Sequence, residues 1–219
     1  MIYLILGIAI ALFASWNVRA TFKKYSQYEC DSGITAEVFA ERMLRANGIY
    51  DVQIHRVKGE LSDFYDPRKK ILCLSESVYG SASIAAIGVA AHECGHAIQD
   101  SVEYKPMRLR SKIVKPANIG SNLSYPIILL GIMFSAPSIV NAGILLFTAV
   151  VLFHLVTLPV EFDASRRACD AMISFGTYSD EEVKAVRKVL SAAALTYLAA
   201  LLNSILTLVR LLGIAGRRR

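Results

Sequence analysis

Cysteine, histidine and charge are all sparse in this chain. It has four cysteines and four histidines among 219 residues, and only 19% of its residues are charged. The cysteines share no short spacing, which argues against a disulfide framework or a zinc knuckle of paired cysteines; they are Cys30, Cys73, Cys94 and Cys169. The chain also lacks internal repeats and a basic stripe interleaved with aromatic residues, so we expect no nucleic-acid partner.

Charge is missing altogether from several long stretches, and 54% of the residues are hydrophobic, too many for an ordinary soluble domain. Residues 2–16 are uncharged and basic residues follow them, which favours an N-terminal transmembrane anchor (1–18) over a cleaved signal peptide. We predict a transmembrane hairpin in residues 117–159, with arms Ile119–Ala136 and Ile139–Pro159. Residues 190–219 are predicted to be a C-terminal transmembrane helix with a basic tail, although a buried helix stays open as an alternative.

One pentapeptide, His92-Glu93-Cys94-Gly95-His96, lies in an apolar run that predicts a buried helix. Helical residues four apart share a face, so His92 and His96 can hold one Zn²⁺. Glu93 is then placed to take a proton from a zinc-bound water, which is the pattern of zinc-dependent peptide hydrolases. A chance match is the alternative, but a buried glutamate beside two histidines is costly without a cation. Cys94 points at a different angle and is expected to pack.

The segment between the anchor and the hairpin, residues 19–116, reads as a small α+β region. Thr35 is a helix N-cap and Gly48 follows that helix. Residues 52–57 and 71–74 have strand patterns, and a turn is expected between them, so we predict a two-stranded sheet ahead of the metal helix. Ile71–Leu74 either offers an exposed edge for an extended peptide substrate or pairs in the core.

A catalytic zinc needs a third protein ligand. If both arms of the hairpin cross the membrane, Glu161 returns to the side of His92 and His96, at the end of an apolar helix where a carboxylate needs a partner. Glu161, in the segment 160–189, is therefore the predicted third ligand, with Asp163 second. His154 lies two helical turns before Glu161 and either donates to the tetrahedral oxyanion or bonds to a neighbouring helix. Tyr65, Arg166 and Tyr197 are weaker candidate donors.

The sequence resembles the membrane-bound neutral zinc metallopeptidases of the YugP type. The resemblance rests on residues 91–99 and 158–167, with further matches at 22–26 and 65–68. More distantly, the chain is similar to membrane zinc peptidases of the HtpX and Ste24 kind, whose third ligand lies in Glu-x-x-Ala-Asp. Here Ser165 stands where their aspartate supports a zinc-bound histidine. The resemblance therefore implies a peptidase in which Asp163 or Ser165 supplies that support.

Together these patterns predict a mainly α membrane protein with transmembrane helices and a small zincin-like α+β catalytic domain. We expect a gluzincin-like zinc metalloendopeptidase with Zn²⁺ as cofactor, acting on peptides or membrane proteins at a lipid bilayer. The alternative is a catalytically idle membrane scaffold with a structural zinc. The net charge of +6 and the basic residues flanking the apolar segments predict a site on the cytoplasmic face of the membrane, and the resemblance implies that this is a bacterial plasma membrane. The terminal Arg217–Arg219 would conflict with that rule if the last helix crosses.

Overall fold

The computed structural model describes residues 2–216, so the predicted basic tail Arg217–Arg219 lies outside the described residues. The chain is mainly helical, with one small sheet. The helices are α1 (Ile2–Tyr25), α2 (Ala36–Ala46), α3 (Ile84–Ser101), α4 (Lys105–Met133), α5 (Pro137–Phe175) and α6 (Asp180–Gly216). The strands are β1 (Gln53–Val57), β2 (Phe64–Asp66) and β3 (Ile71–Ser75).

The sheet has three strands in the order β1-β3-β2, not the two that we predicted. β1 pairs with β3 in parallel, and β2 pairs with β3 antiparallel with Tyr65 opposite Leu72. We predicted a turn between the two strands, because the three residues of β2 are too few to show strand alternation and turn-forming residues lie on both sides, Asp63 before and Pro67 after. β3 is therefore the central strand, which corrects the alternative that Ile71–Leu74 offers an open edge.

Asp63 closes the end of the sheet at which β2 begins and β3 ends. Its carboxylate accepts hydrogen bonds from the backbone nitrogen of Ser75 (2.7 Å) and from the Ser75 hydroxyl (3.0 Å). From the middle of β2, the Tyr65 hydroxyl donates to Asp100 of α3 (3.0 Å), and Lys70 donates to the same oxygen (2.7 Å). These bonds fix the sheet to the helix that carries the two histidines.

Helix α2 begins where the sequence predicts, directly after Thr35. Thr35 is the N-cap of α2, although its hydroxyl bonds to Glu37 rather than to the helix backbone. Ser83 caps α3 by accepting a hydrogen bond from the nitrogen of Ala86. The core around these helices is aliphatic and aromatic, with fully buried side chains that include Phe39, Met43, Leu72, Leu74 and Ile87.

The chain divides into two compact units. One consists of Met1–Ser15, Lys105–Pro159 and Thr196–Arg219, and the other of Trp16–Tyr104 and Val160–Leu195. The first holds most of the apolar helical segments. The second holds the sheet, α2, α3, the end of α5 and the start of α6. Helix α5 passes without a break through Pro159, so the predicted boundary between residues 159 and 160 is not a helix end.

Among residues 2–216, three helices are long and apolar enough to cross a membrane: Ile5–Tyr25, Pro137–Phe175 and Asp180–Gly216. They include the predicted anchor, the second arm of the hairpin and the C-terminal crossing. The first arm lies in α4, which is not among them because polar residues such as Asn118 and Asn122 lower its hydropathy. Helices α4 and α5 nevertheless approach closely, since a Cβ at Gly120 would lie 2.3 Å from the Leu146 carbonyl oxygen.

Candidate metal centre

Two histidines on one face of α3 form one side of the candidate centre. His92 and His96 lie one helical turn apart, and their side chains are 13% and 11% exposed. Their rings are 4.8 Å apart between centroids and nearly perpendicular, at 82°. The apolar small residues that precede them bury this part of α3, which is why the helix brings its histidines into the interior and not to the surface.

Glu161 of α5 completes a group of three. Its Oε2 atom lies 3.2 Å from Nε2 of His92 and 3.6 Å from Nε2 of His96, and its side chain is 2% exposed. One ligand atom from each of the three residues lies within 4.8 Å of the others. The structure thus brings together the three predicted metal ligands from two helices that are far apart in sequence.

A glycine allows the two helices to meet. Gly95 stands between the histidines on α3, and a Cβ built there would lie 2.6 Å from the backbone oxygen of Ala164 on α5. That distance is shorter than any ordinary carbon–oxygen contact, so only glycine fits against the backbone of α5 at this point. Because Ala164 is three residues after Glu161, this crossing sets the distance from the histidines to the carboxylate.

The second ring nitrogen of each histidine has its own partner. Nδ1 of His92 lies 3.1 Å from the hydroxyl of Ser165, so Ser165 occupies the supporting place that the distant resemblance implies. Nδ1 of His96 lies 3.0 Å from the side-chain oxygen of Gln99, a residue that the sequence reasoning missed. Its only sequence signal is its position one turn after the second histidine. Both rings therefore turn Nε2 toward Glu161.

The donor set fits zinc. In a tetrahedral site with metal–ligand bonds of about 2.0–2.1 Å, ligand atoms lie roughly 3.3 Å apart, close to the 3.2 and 3.6 Å measured between the histidines and Glu161. The Gln99 oxygen can only accept, so His96 must donate from Nδ1, and its Nε2 lone pair faces a carboxylate in a buried place. Two imidazole nitrogens and a carboxylate oxygen converging in this way call for a cation.

The negative charges around the group also favour a cation there. Burial lowers the pKa of His96, but the hydrogen bond that His96 donates to Glu161 and the negative charge of Glu93 outweigh it and leave that pKa raised. Burial raises the pKa of Asp63, and Glu93 adds to the rise, while the bonds from Ser75 oppose it. Glu93 is itself buried, at 8% exposed, and its charge acts on both His96 and Asp63.

Other sequence candidates have different partners. Asp163 is not a ligand in the group of three; it binds Gln99, Arg166 and Arg167. Arg166 is thus engaged by Asp163, and the Tyr65 hydroxyl is engaged by Asp100.

Two further residues can be placed. Among residues 2–216, His154 is not part of the group of three, and its ring packs edge-on against Phe153 at 5.6 Å. The fully buried Cys94 thiol donates to the Ala40 carbonyl oxygen at 3.6 Å, so it packs between helices as expected.

Two comparisons with known proteins indicate the same family. A family model described as "Putative neutral zinc metallopeptidase" matches residues 1–216. The chain is also 44% identical, over 213 residues, to "Putative membrane protease YugP" of Bacillus subtilis (strain 168), which covers 96% of this chain and 95% of that protein. No solved structure matches.

Proposed function

The chain belongs to the neutral zinc metallopeptidase family, and we propose on that premise that it is a membrane-bound endopeptidase that hydrolyses peptide bonds with Glu93 as general base. Zinc is the metal of this family, and His92, His96 and Glu161 can bind it. The observation that carries the proposal is the convergence of these three residues with a buried Glu93 one position along from the first ligand.

Each residue has a defined part in the proposed reaction. His92, His96 and Glu161 would hold the zinc, which when bound polarises a carbonyl oxygen and makes water more acidic. Glu93 accepts the proton of the attacking water and passes it to the amine of the departing peptide. Ser165 and Gln99 hold the two imidazoles so that Nε2 of each faces the metal position.

A substrate strand is best accommodated by β2. β3 is paired on both sides, whereas β2 has β3 on one side only within the sheet. β2 is bonded to α3 through Tyr65, and the residue that precedes it, Asp63, is subject to the negative charge of Glu93. An extended peptide that adds to the outer edge of β2 would place its backbone alongside the metal helix, with Phe64, 44% exposed, as an apolar contact.

Helix length supports a site at the membrane boundary. Helix α5 has 39 residues, which corresponds to about 58 Å, almost twice the hydrocarbon thickness of a bilayer. Glu161 lies 24 residues after Pro137, about 36 Å along the helix, just beyond one bilayer core. We therefore propose that the site faces the cytoplasm at the surface of a bacterial plasma membrane, where membrane or misfolded proteins are the substrates.

The second candidate is a catalytically idle scaffold with a structural zinc. A structural zinc site is closed by four protein ligands. Within residues 2–216, the metal-binding group has three members and no fourth histidine, cysteine or carboxylate joins it. The scaffold would also leave a buried Glu93 beside the site without a task, so the peptidase is favoured.

Substitution of Glu93 by glutamine tests the proposal in the purified full-length protein. The amide keeps the shape of the side chain but cannot accept the proton, so we expect casein cleavage to fall about 10²–10⁴-fold with one zinc retained. Glu181→Gln, on the exposed side of α6, removes the same charge and should leave cleavage unchanged. Glu161→Ala should lose zinc and activity together. Unchanged cleavage in Glu93→Gln, or unchanged zinc in Glu161→Ala, would overturn the corresponding role.

A further inference from the structure

Gln99 is a buried amide whose polar atoms all have partners. It is 0% exposed, in the last turn of α3. Its oxygen lies 3.0 Å from Nδ1 of His96, and its nitrogen donates to the Val160 carbonyl oxygen at 2.8 Å and to the Asp163 carboxylate at 2.9 Å. One side chain thus contacts a predicted ligand on α3 and two positions on α5.

The direction of each bond is fixed by chemistry. A carbonyl oxygen and a carboxylate can only accept, so the two partners on α5 must face the amide nitrogen of Gln99. The amide oxygen is then left for His96, which must donate from Nδ1. A flipped amide would put nitrogen against the histidine and oxygen against two acceptors, at the cost of two buried hydrogen bonds.

We propose that Gln99 is a positioning residue for the zinc centre, which holds His96 with its Nε2 lone pair toward the metal and ties that histidine to α5. This inference rests on the proposed function. Val160 immediately precedes Glu161, so the bond to its carbonyl fixes the backbone beside the third ligand. Gln99 therefore sets the position of His96 relative to Glu161 as well as the orientation of the imidazole.

Asp163 makes this tie firmer. Its carboxylate also accepts bonds from Arg166 and Arg167, so it stays charged and held in place. A hydrogen bond from an amide to a charged carboxylate is stronger than one to a neutral acceptor. The predicted alternative ligand Asp163 thus acts as the anchor of Gln99.

The support of His92 is different in kind. The Ser165 hydroxyl can donate or accept, so its bond does not dictate which nitrogen of His92 carries the proton. Ser165 also ties its histidine to α5 at one point, whereas Gln99 makes two bonds to that helix. Loss of Gln99 should therefore weaken the site more than loss of Ser165, which makes Ser165→Ala a matched control.

Metal affinity, measured by competition with a chelator on the full-length protein in detergent, tests the role. Gln99→Met keeps the length of the side chain and removes all three bonds, and we expect zinc affinity to fall about 10–100-fold, with an altered visible spectrum of the cobalt-loaded protein. Gln99→Glu keeps an acceptor for His96 but faces Val160 and Asp163 with oxygen, so its affinity should lie between that of Gln99→Met and that of the wild type. Ser165→Ala should lose less affinity than Gln99→Met.

The zinc affinity of each variant is interpreted together with a measurement of its fold. If circular dichroism shows a native helix content and both Gln99 variants bind zinc within about threefold of wild type, the positioning role is wrong. If neither variant folds with zinc present, Gln99 is a fold determinant and the role is equally wrong. If wild type binds no zinc, or His96→Ala still binds it, the proposed function itself fails. If wild type binds zinc and His96→Ala does not, the proposed function holds, and any failure then concerns the positioning role alone.

Discussion

Replacement of Gly95 by alanine should cost activity far more than stability. The added Cβ would lie 2.6 Å from the Ala164 oxygen and 3.0 Å from the Ala164 Cα. Both neighbours are backbone, so no side-chain rotation relieves the contact. Ordinary contact begins at 3.4 Å, so α3 and α5 must separate by about 0.8 Å at this point.

The expected loss of stability is smaller than the expected loss of activity. Overpacking typically costs about 1–3 kcal/mol, while alanine gains about 1 kcal/mol over glycine within a helix, so the net loss of stability should be about 0–2 kcal/mol. The displacement falls between His92 or His96 on one helix and Glu161 on the other. A misplacement of about 1 Å at a reacting centre can cost about 10²-fold in rate, and we expect a loss of that order in casein cleavage.

Gly88→Ala is the matched control, seven residues earlier on the same helix. Its added Cβ would meet the Val186 side chain, at 3.0 Å, instead of backbone, and a side chain can move. This variant gains the same helix propensity and should keep zinc and activity. The measurements are zinc content, the thermal midpoint and cleavage of casein by both variants. Cleavage by Gly95→Ala within about threefold of wild type, with full zinc content, would refute the reasoning that this backbone contact sets the ligand distance.

Two further predictions concern parts of the second unit away from the metal group. Tyr65→Phe removes the hydroxyl bond to Asp100 but leaves the bond from Lys70, so the protein should lose about 1 kcal/mol of stability. Its thermal midpoint should fall while zinc content does not; a loss of zinc would contradict the separation of this contact from the centre. Burial, together with Glu182, raises the pKa of the Cys30 thiol to about 12. Between about pH 9 and 12 the unfolded thiol has lost a proton that the folded one keeps, so unfolding free energy falls as pH rises. Cys30→Ala should flatten that fall, and an equal pH slope in both proteins would count against it.

The sequence was sufficient for the metal group because two strong constraints act on few residues. The spacing of His92 and His96 is meaningful only on a helix, and the apolar run that contains them predicts one. Glu161 was predicted from the topology, since a carboxylate at the end of an apolar helix is unfavourable there without a partner. These inferences needed only local periodicity and the order of the apolar segments.

Other features could not be read from local patterns. β2 is three residues long and owes its pairing to β3 and to the Tyr65 contact with α3, which are tertiary. Helix α5 runs through Pro159 to Phe175, and this continuity is not visible in the local sequence because packing holds the helix across the proline. Gln99 has no motif spacing that separates it from any other buried amide, and its role depends on where α5 crosses.

The metal site is a property of the crossing between α3 and α5 and not of α3 alone. Residues 92–99 of α3 meet residues 160–165 of α5 through a backbone contact at Gly95 and side-chain bonds from Gln99 and Ser165. The histidine motif without α5 would have only two ligands and no fixed ring orientations. In the proposed site zinc would bind only the crossed arrangement, so its binding free energy would stabilise that crossing. Weakening the crossing at any of these points should therefore lower zinc affinity even where the ligands themselves are untouched.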